Sequence, residues 1–135
     1  MTTPTRPILP LFGAILALFG LLVATSAWAD DGMASFYTTK SCQKEGTSGV
    51  WTASGERFDE NALTCARRSR TWGKEWYVYS HKTGKSIIVR QNDFGPGKGP
   101  TAKGVIIDLT LAGFKALGVD LKDGKTKVSV MEISG

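Results

Sequence analysis

Two carboxylates in this sequence stand where chain geometry would hold them in the open. Asp93 lies in Val89-Arg90-Gln91-Asn92-Asp93-Phe94-Gly95-Pro96-Gly97, after the β-branched run Ile87-Ile88-Val89 and before a Gly/Pro/Gly turn. A carboxylate at the end of a buried strand is placed by rigid backbone and faces a loop surface, which suits a general acid or base. The same local pattern fits a plain turn-capping aspartate. Glu56 directly follows Gly55 in the turn-centred segment Trp51 to Phe58, a bend that would present its carboxylate, or leave it as a solvated turn residue. A third acid, Asp108, closes the apolar run Gly104-Val105-Ile106-Ile107 just before Leu109-Thr110, where it can simply hydrogen-bond backbone at a helix start.

Other chemistries have little to work with. The cysteines are Cys42 and Cys65, and the one histidine is His81. These do not make a zinc set. His81 sits in a hairpin turn, His81-Lys82-Thr83-Gly84, with no sign of pairing to either thiol, so a cysteine nucleophile is weak. No metal and no cofactor is expected.

The elements that must position the acids follow from period and punctuation. Gly32 to Tyr37 reads as a first strand, with Ala34 and Phe36 on one face and Ser35 and Tyr37 on the other. Residues 38 to 50 read as a loop, and Asn61 to Ala66 as a short alternating segment anchored by Cys65. Trp76 to Ser80 is strand-like in every residue type; a turn at residues 82–85 returns the chain as the strand 86–91. A Gly/Pro/Lys loop spans 97–103, and 104–109 is a buried strand. Thr110 is an N-cap for a short helix bearing Leu111, Phe114, Ala116 and Leu117, stopped by Gly118. Lys127 to Ile133 is the final strand. Five or six short strands and one brief helix in about a hundred residues predict a mainly β domain, a small barrel.

The N-terminus has a different character. Arg6 is the only charged residue among positions 1–29, Ile8 to Val23 is mostly apolar, and Ala27-Trp28-Ala29 fits a small-x-small cleavage site. Residues 1–29 therefore read as a secretory signal peptide and 30–135 as the domain. The alternative is a retained anchor. With no Cys near the junction, a lipid-anchored form is disfavoured, and no stable membrane anchor is expected after cleavage. Export permits a disulfide, and Cys42 with Cys65 is the one possible pairing, stabilising by roughly 3 kcal/mol in the chain-entropy view. The net charge of the 135-residue chain is +5. A basic exported domain meets cell-wall polymers and envelope surfaces; charge alone is compatible with nucleic acid, but the export signal argues against it.

Four stretches in order carry a resemblance: Gly32 to Tyr37; Thr52-Ala53-Ser54-Gly55-Glu56-Arg57-Phe58-Asp59; Leu63-Thr64-Cys65-Ala66; and Gly84 to Pro96 with its Arg90-Gln91-Asn92-Asp93-Phe94-Gly95-Pro96. With Gly104 to Thr110 and the helix, residues 32 to 133 resemble the rare-lipoprotein-A (RlpA)-like double-psi β-barrel family, kin to expansins and barwin-like domains. The resemblance implies a six-stranded double-psi barrel. It also implies septal or cell-wall lytic transglycosylase chemistry on peptidoglycan, preferring glycan strands stripped of peptides and cutting between N-acetylmuramic acid and N-acetylglucosamine to leave 1,6-anhydro ends. Carried over residue by residue, it implies Asp93 as principal acid/base, Glu56 as second carboxyl and Asp108 as an orienting group. Tyr37, Trp51, Phe94 and Arg67 are the expected glycan contacts, with Trp72 a further stacking candidate, while Trp76 and Tyr77 are expected in the core. The chain departs from the pattern at Arg67, where enzymatic members carry a His, and at Phe94, where an Arg is usual. These departures leave two competing expectations: a glycan-binding module that does not cut, in the manner of expansins and barwins, and a secreted protein-interaction domain. Acting in the periplasm or beyond it is compatible with each.

Overall fold

Alternating burial along each strand shows how the sequence closes into a barrel. The computed structural model describes residues 29–44 and 51–133, without the side chains of residues 43 and 44. Nearly all of the expected signal segment lies outside the described residues. The strands are β1 (Asp30–Tyr37), β2 (Thr64–Arg67), β3 (Glu75–Ser80), β4 (Ser86–Phe94), β5 (Val105–Thr110) and β6 (Lys125–Glu132). They close in the spatial order β1-β5-β2-β4-β3-β6. β1 runs parallel to β5 and β2 parallel to β4, and the remaining neighbours are antiparallel.

Residues at every second position point inward. Val105, Ile107 and Leu109 of β5, Val128 and Val130 of β6, Val78 of β3 and Val89 of β4 meet Ala34 and Cys65 in one core. This period-2 pattern pins register, because a one-residue slip would turn the apolar set to solvent. The barrel end is closed by α3 (Leu111–Ala116), whose Phe114, with Leu117 just beyond, is fully buried. Each such side chain contributes about 2–3 kcal/mol by leaving water. Thr110 caps α3 as the sequence predicts: its Oγ1 accepts from Gly113 N at 3.2 Å. Gly118 ends the segment at φ +73°, a conformation that suits glycine.

Several expectations change. The returning strand does not stop at Gln91 or at Asp93 but runs to Phe94, because β2 pairs alongside it as far as Arg67↔Phe94. The stretch read as a loop from residue 38 opens with a helical turn, α1 (Thr39–Lys44), where Thr38 N donates to Ser41 Oγ and Glu60 Oε2 accepts from Thr39 N. The Gly/Pro/Lys loop contains α2 (Lys98–Ala102). Tyr77 is not core: the alternation that buries Trp76 and Val78 leaves it 36% exposed. Cys42 and Cys65 are thiols and not a disulfide. Cys65 points inward among the core residues, while Cys42 lines the outer groove described below.

Candidate functional site

A register row on the outer face of the barrel brings two acids together. Ala66 of β2 is the cross-strand partner of Asp93 on one side and of Asp108 on the other, and Asp108 is the partner of Ser35. The row Ser35–Asp108–Ala66–Asp93 thus crosses four strands, with the small alanine between the carboxylates. Two inter-strand spacings put the two aspartate Cα atoms about 10 Å apart. A groove of about 360 Å³ lies over this row, within the range of small-ligand clefts. Asp93 and Asp108 form its acidic floor, Tyr37, Phe58, Trp51 and Phe94 its aromatic sides, and Gly95, Gly97 and Pro100 one rim. Gly95 closes over Asp108: a Cβ there would lie 3.3 Å from Asp108 Oδ2 and 3.5 Å from Ala66 Cβ. A side chain at this position would crowd the floor.

Asp93 is held through one oxygen. Its Oδ1 accepts from Ala53 N and from Phe94 N, both at 2.9 Å. Oδ2 takes no hydrogen bond from the described residues. The Thr52–Glu56 turn supplies the Ala53 amide. Thr52 N donates to Glu56 O (2.8 Å), Gly55 sits at φ +89°, and Ser54 N ties the turn to Asn92 O (3.2 Å). Asp108 accepts from Ser35 Oγ, which couples β5 to β1 under the groove.

Glu56 goes elsewhere. Arg90 grips it with both nitrogens, Nη1 to Oε1 at 2.6 Å and Nη2 to Oε2 at 2.9 Å, and Asn92 Nδ2 adds a bond at 3.2 Å. The Arg90 hydrogen bonds first, and Asn92 second, hold the Glu56 carboxyl below the usual carboxylate range. Glu56 is not among the residues lining the groove, so the three acids singled out in the sequence do not all converge.

Tyr37 contributes a neutral donor. Its ring stacks on Phe58 at 4.7 Å, and its hydroxyl is buried without a hydrogen-bond partner among the described residues. Burial first, and the Asp93 charge second, push the phenol far above its ordinary range, so the proton stays on. Such an orphaned hydroxyl in a groove is available to a ligand. Burial likewise pushes the Cys65 thiol up to about 12, which makes it a poor nucleophile.

Arg67 is not a groove residue. Its side chain turns to another face, where Nη2 pairs with Asp30 Oδ2 (2.9 Å), Nη1 donates to Ile106 O (3.0 Å), and the guanidinium lies 4.3 Å from the Trp76 ring centroid. Trp72 lies in a separate depression with Lys74 and Glu132. His81 is in the β3–β4 turn, bonded to Ser129 Oγ at 2.7 Å. Among the described residues no group of three or more His, Cys, Asp or Glu side chains is placed to hold a metal ion.

Two residues that matter here were not picked out in the sequence. Ser35 was placed on the right face but given no partner. Gln91 is wholly buried, donating through Nε2 to Ser69 O (2.6 Å) and accepting from Trp76 Nε1 (3.0 Å). The available signal was its position: a polar residue two after Val89, on the inward side of a strand.

A closed six-stranded barrel with crossed parallel pairs and an acidic groove on its outer face defines a double-psi β-barrel domain. Solved structures share the fold. The Streptomyces papain inhibitor aligns over 78% of this chain and 94% of its own, with TM-score 0.58 and 19% identity. An expansin of Clavibacter michiganensis aligns over 78% and 50%, with TM-score 0.56 and 19% identity. The chain belongs to the lytic transglycolase family, whose sequence profile matches residues 29–130. Curated relatives include the probable endolytic peptidoglycan transglycosylase RlpA of a Nostoc species, 39% identical over 65% of this chain and 22% of that protein. The same-named proteins of Pasteurella multocida (without "probable") and Treponema pallidum are each 36% identical, over 70% and 82% of this chain and 29% and 31% of theirs. The chain thus spans less than a third of the length of these relatives.

Proposed function

We propose that this domain is an endolytic lytic transglycosylase acting outside the cytoplasm on the glycan strands of peptidoglycan. It would open the bond between N-acetylmuramic acid and N-acetylglucosamine. The observation that carries the reading is Asp93, anchored through Oδ1 and open at Oδ2 on the floor of an aromatic-sided groove. Family membership supports it, and the signal-like residues 1–29 support export.

The chemistry needs one proton delivered and one removed. A carboxyl at Asp93 gives its proton to the bridging oxygen as the bond from C1 of N-acetylmuramic acid to that oxygen breaks. The 6-hydroxyl of the same sugar closes on C1, and the Asp93 carboxylate takes that hydroxyl's proton, which restores the acid. No water enters, unlike the inverting hydrolysis that needs a separate activating base. Tyr37 donates a hydrogen bond to the sugar, and Trp51 and Phe94 stack on it. Asp108, tied to Ser35, orients the floor. Glu56 and Arg90 hold the turn that supplies the Ala53 amide, so Glu56 acts in this reading as a positioning residue instead of a second proton carrier.

The test is incubation with peptide-free glycan strands and mass spectrometry of the products. New 1,6-anhydro ends, absent with Asp93→Asn, support the reading; unchanged turnover in that variant removes Asp93 from its role. A second reading, a module that binds wall glycan without cutting, is favoured by Arg67. It stands at the family's His position but points out of the groove to Asp30 and Ile106 O. Glycan binding with no anhydro ends under any condition would select it.

A further inference from the structure

Of the aromatic residues expected to stack on sugar, Trp72 alone lies outside the acidic groove. It is 38% exposed, and among the described residues its indole makes no hydrogen bond and no ring contact. An indole offers an apolar face and a polar edge together. That combination suits a ligand whose own ring faces are apolar and whose rim is polar.

The loop that presents Trp72 is fastened from inside the barrel. This arginine-bearing loop, residues 68–73, follows β2 and leads into β3. Buried Gln91 donates through Nε2 to Ser69 O (2.6 Å) and through its backbone N to Lys74 O (2.8 Å), and Gly73 N donates to Gln91 O (2.9 Å). Gly73 makes the turn at φ +85°, open to glycine. A stacking face already held in place loses little freedom when a ligand covers it.

The depression around Trp72 measures about 350 Å³, with Thr71, Lys74, Glu75 and Glu132 as polar walls beside Ile133. Lys74 pairs with Glu132 at 3.1 Å, and Glu75 enters no ion pair among the described residues. Two carboxylates against one ammonium disfavour a polyanion. Hydroxyl, carboxylate and ammonium groups around one aromatic face instead offer donors and acceptors to a hydroxyl-rich ligand. The loop also reaches back to the groove. Arg70 and Arg68, neither of them a groove residue, lie with their guanidinium carbons 4.7 and 5.3 Å from the ring centroid of Phe94, which does line the groove. Trp72 follows Arg70 by two residues, a span of at most about 7 Å, so its depression neighbours the Phe94 side of the groove.

We infer that Trp72 and its depression form a distal subsite for glycan, stacking on a sugar of the same strand whose scissile region lies over Asp93. The inference rests on the glycan reading above and adds to it a dependence on strand length. A long strand fills both hollows, and a short fragment fills one. Once the groove is occupied, the second contact is intramolecular, which tightens the hold on long strands without any change at the acids.

The test is equilibrium binding of peptide-free glycan fragments of graded length to the whole protein, in the Asp93→Asn background so that strands are not consumed. The shortest fragment that Trp51→Ala weakens marks occupancy of the groove. Trp72→Ala is expected to leave that fragment unaffected and to weaken long strands about tenfold, the weight of one aromatic face contact. Trp72→Phe keeps a ring face and should retain most of the long-strand affinity. Equal binding of long strands with and without Trp72 overturns the inference. So does equal weakening at every length, or a loss in Trp72→Phe as large as in Trp72→Ala, since either would trace the effect to a disturbed loop. Failure of every fragment to bind would sink the glycan reading itself. Trp72-dependent binding of long strands with no anhydro ends from the wild type would remove cleavage and leave the subsite standing.

Discussion

Asp93 and Glu56 flank the same short turn, yet the fold treats them in opposite ways. Asp93 is held by two backbone amides on a single oxygen, one of them from Ala53 of the turn, and its other oxygen opens on the groove. Glu56, three residues on from Ala53, has both oxygens taken by Arg90 and lies outside the groove lining. Amides orient a carboxylate without adding a full charge; a guanidinium fork neutralises it and occupies its geometry. A carboxylate of the first kind stays available to a ligand, whereas one of the second kind fastens structure.

The comparison is broken most forcefully at Asp93. Asp93→Asn keeps an Oδ1 acceptor for both amides but cannot carry the proton. Production of anhydro ends is expected to fall by roughly 10²–10⁴-fold, the usual weight of general acid–base catalysis, with thermal stability nearly unchanged. A variant that unfolds instead would show Asp93 to be a structural cap.

Gln91→Leu tests the fastening of the arginine loop without touching either acid. It strands Trp76 Nε1 and Ser69 O, and urea unfolding should show a loss of about 2–3 kcal/mol. A loss within about 0.5 kcal/mol, typical of surface changes, would mean that the loop is held by other contacts. Tyr37→Phe should separate function from stability, because the hydroxyl has no partner among the described residues. Removing it should leave stability equal or raised by up to about 1 kcal/mol, while turnover falls about tenfold through the missing donor. Falling stability together with unaltered turnover would contradict both halves.

The smallest effect belongs to Glu56. Its carboxyl is held below the ordinary range by Arg90 and then Asn92. The stabilisation is therefore present above the unfolded carboxylate range and is lost as pH falls through the depressed folded value. Both side chains of the pair are 43% exposed, so Glu56→Gln should cost only a few tenths to about 1 kcal/mol at neutral pH. In denaturant titrations the gap between wild type and variant should close in strong acid. A gap that stays constant to pH 2 would show that the charge is not its source. If Glu56→Gln abolishes turnover as fully as Asp93→Asn does, the contrast between the two acids fails and Glu56 is a proton carrier after all.

Much of the barrel was legible because its determinants are local. Val105, Ile107 and Leu109 alternate with Ile106 and Asp108, Thr110 and Gly118 punctuate α3, and Gly84 turns the β3–β4 hairpin. Each depends on a residue's own preference or on a neighbour a few positions away. The helical turns α1 and α2 were missed because their residues carry no apolar period. α1 begins where the side chain of Glu60, 21 positions on, meets the Thr39 amide. Tyr77 was misplaced because a strand of aromatic and β-branched residues does not by itself say which face is inward.

By itself the sequence determined the strands, the capped helix, the acid Asp93 before a Gly/Pro/Gly turn and the acid Asp108 at the end of an apolar run, since these follow from pattern and residue chemistry. Only the tertiary structure decided which of its charged groups meet. Ala66 lies 27 positions before Asp93 and 42 before Asp108, and only the closure of β2 between β4 and β5 makes it partner to both. The same closure turned Arg67 towards Asp30 and left Arg68 and Arg70 over Phe94. Side-chain direction on a strand reverses with every residue, and which surface is the groove depends on strands far away in the chain.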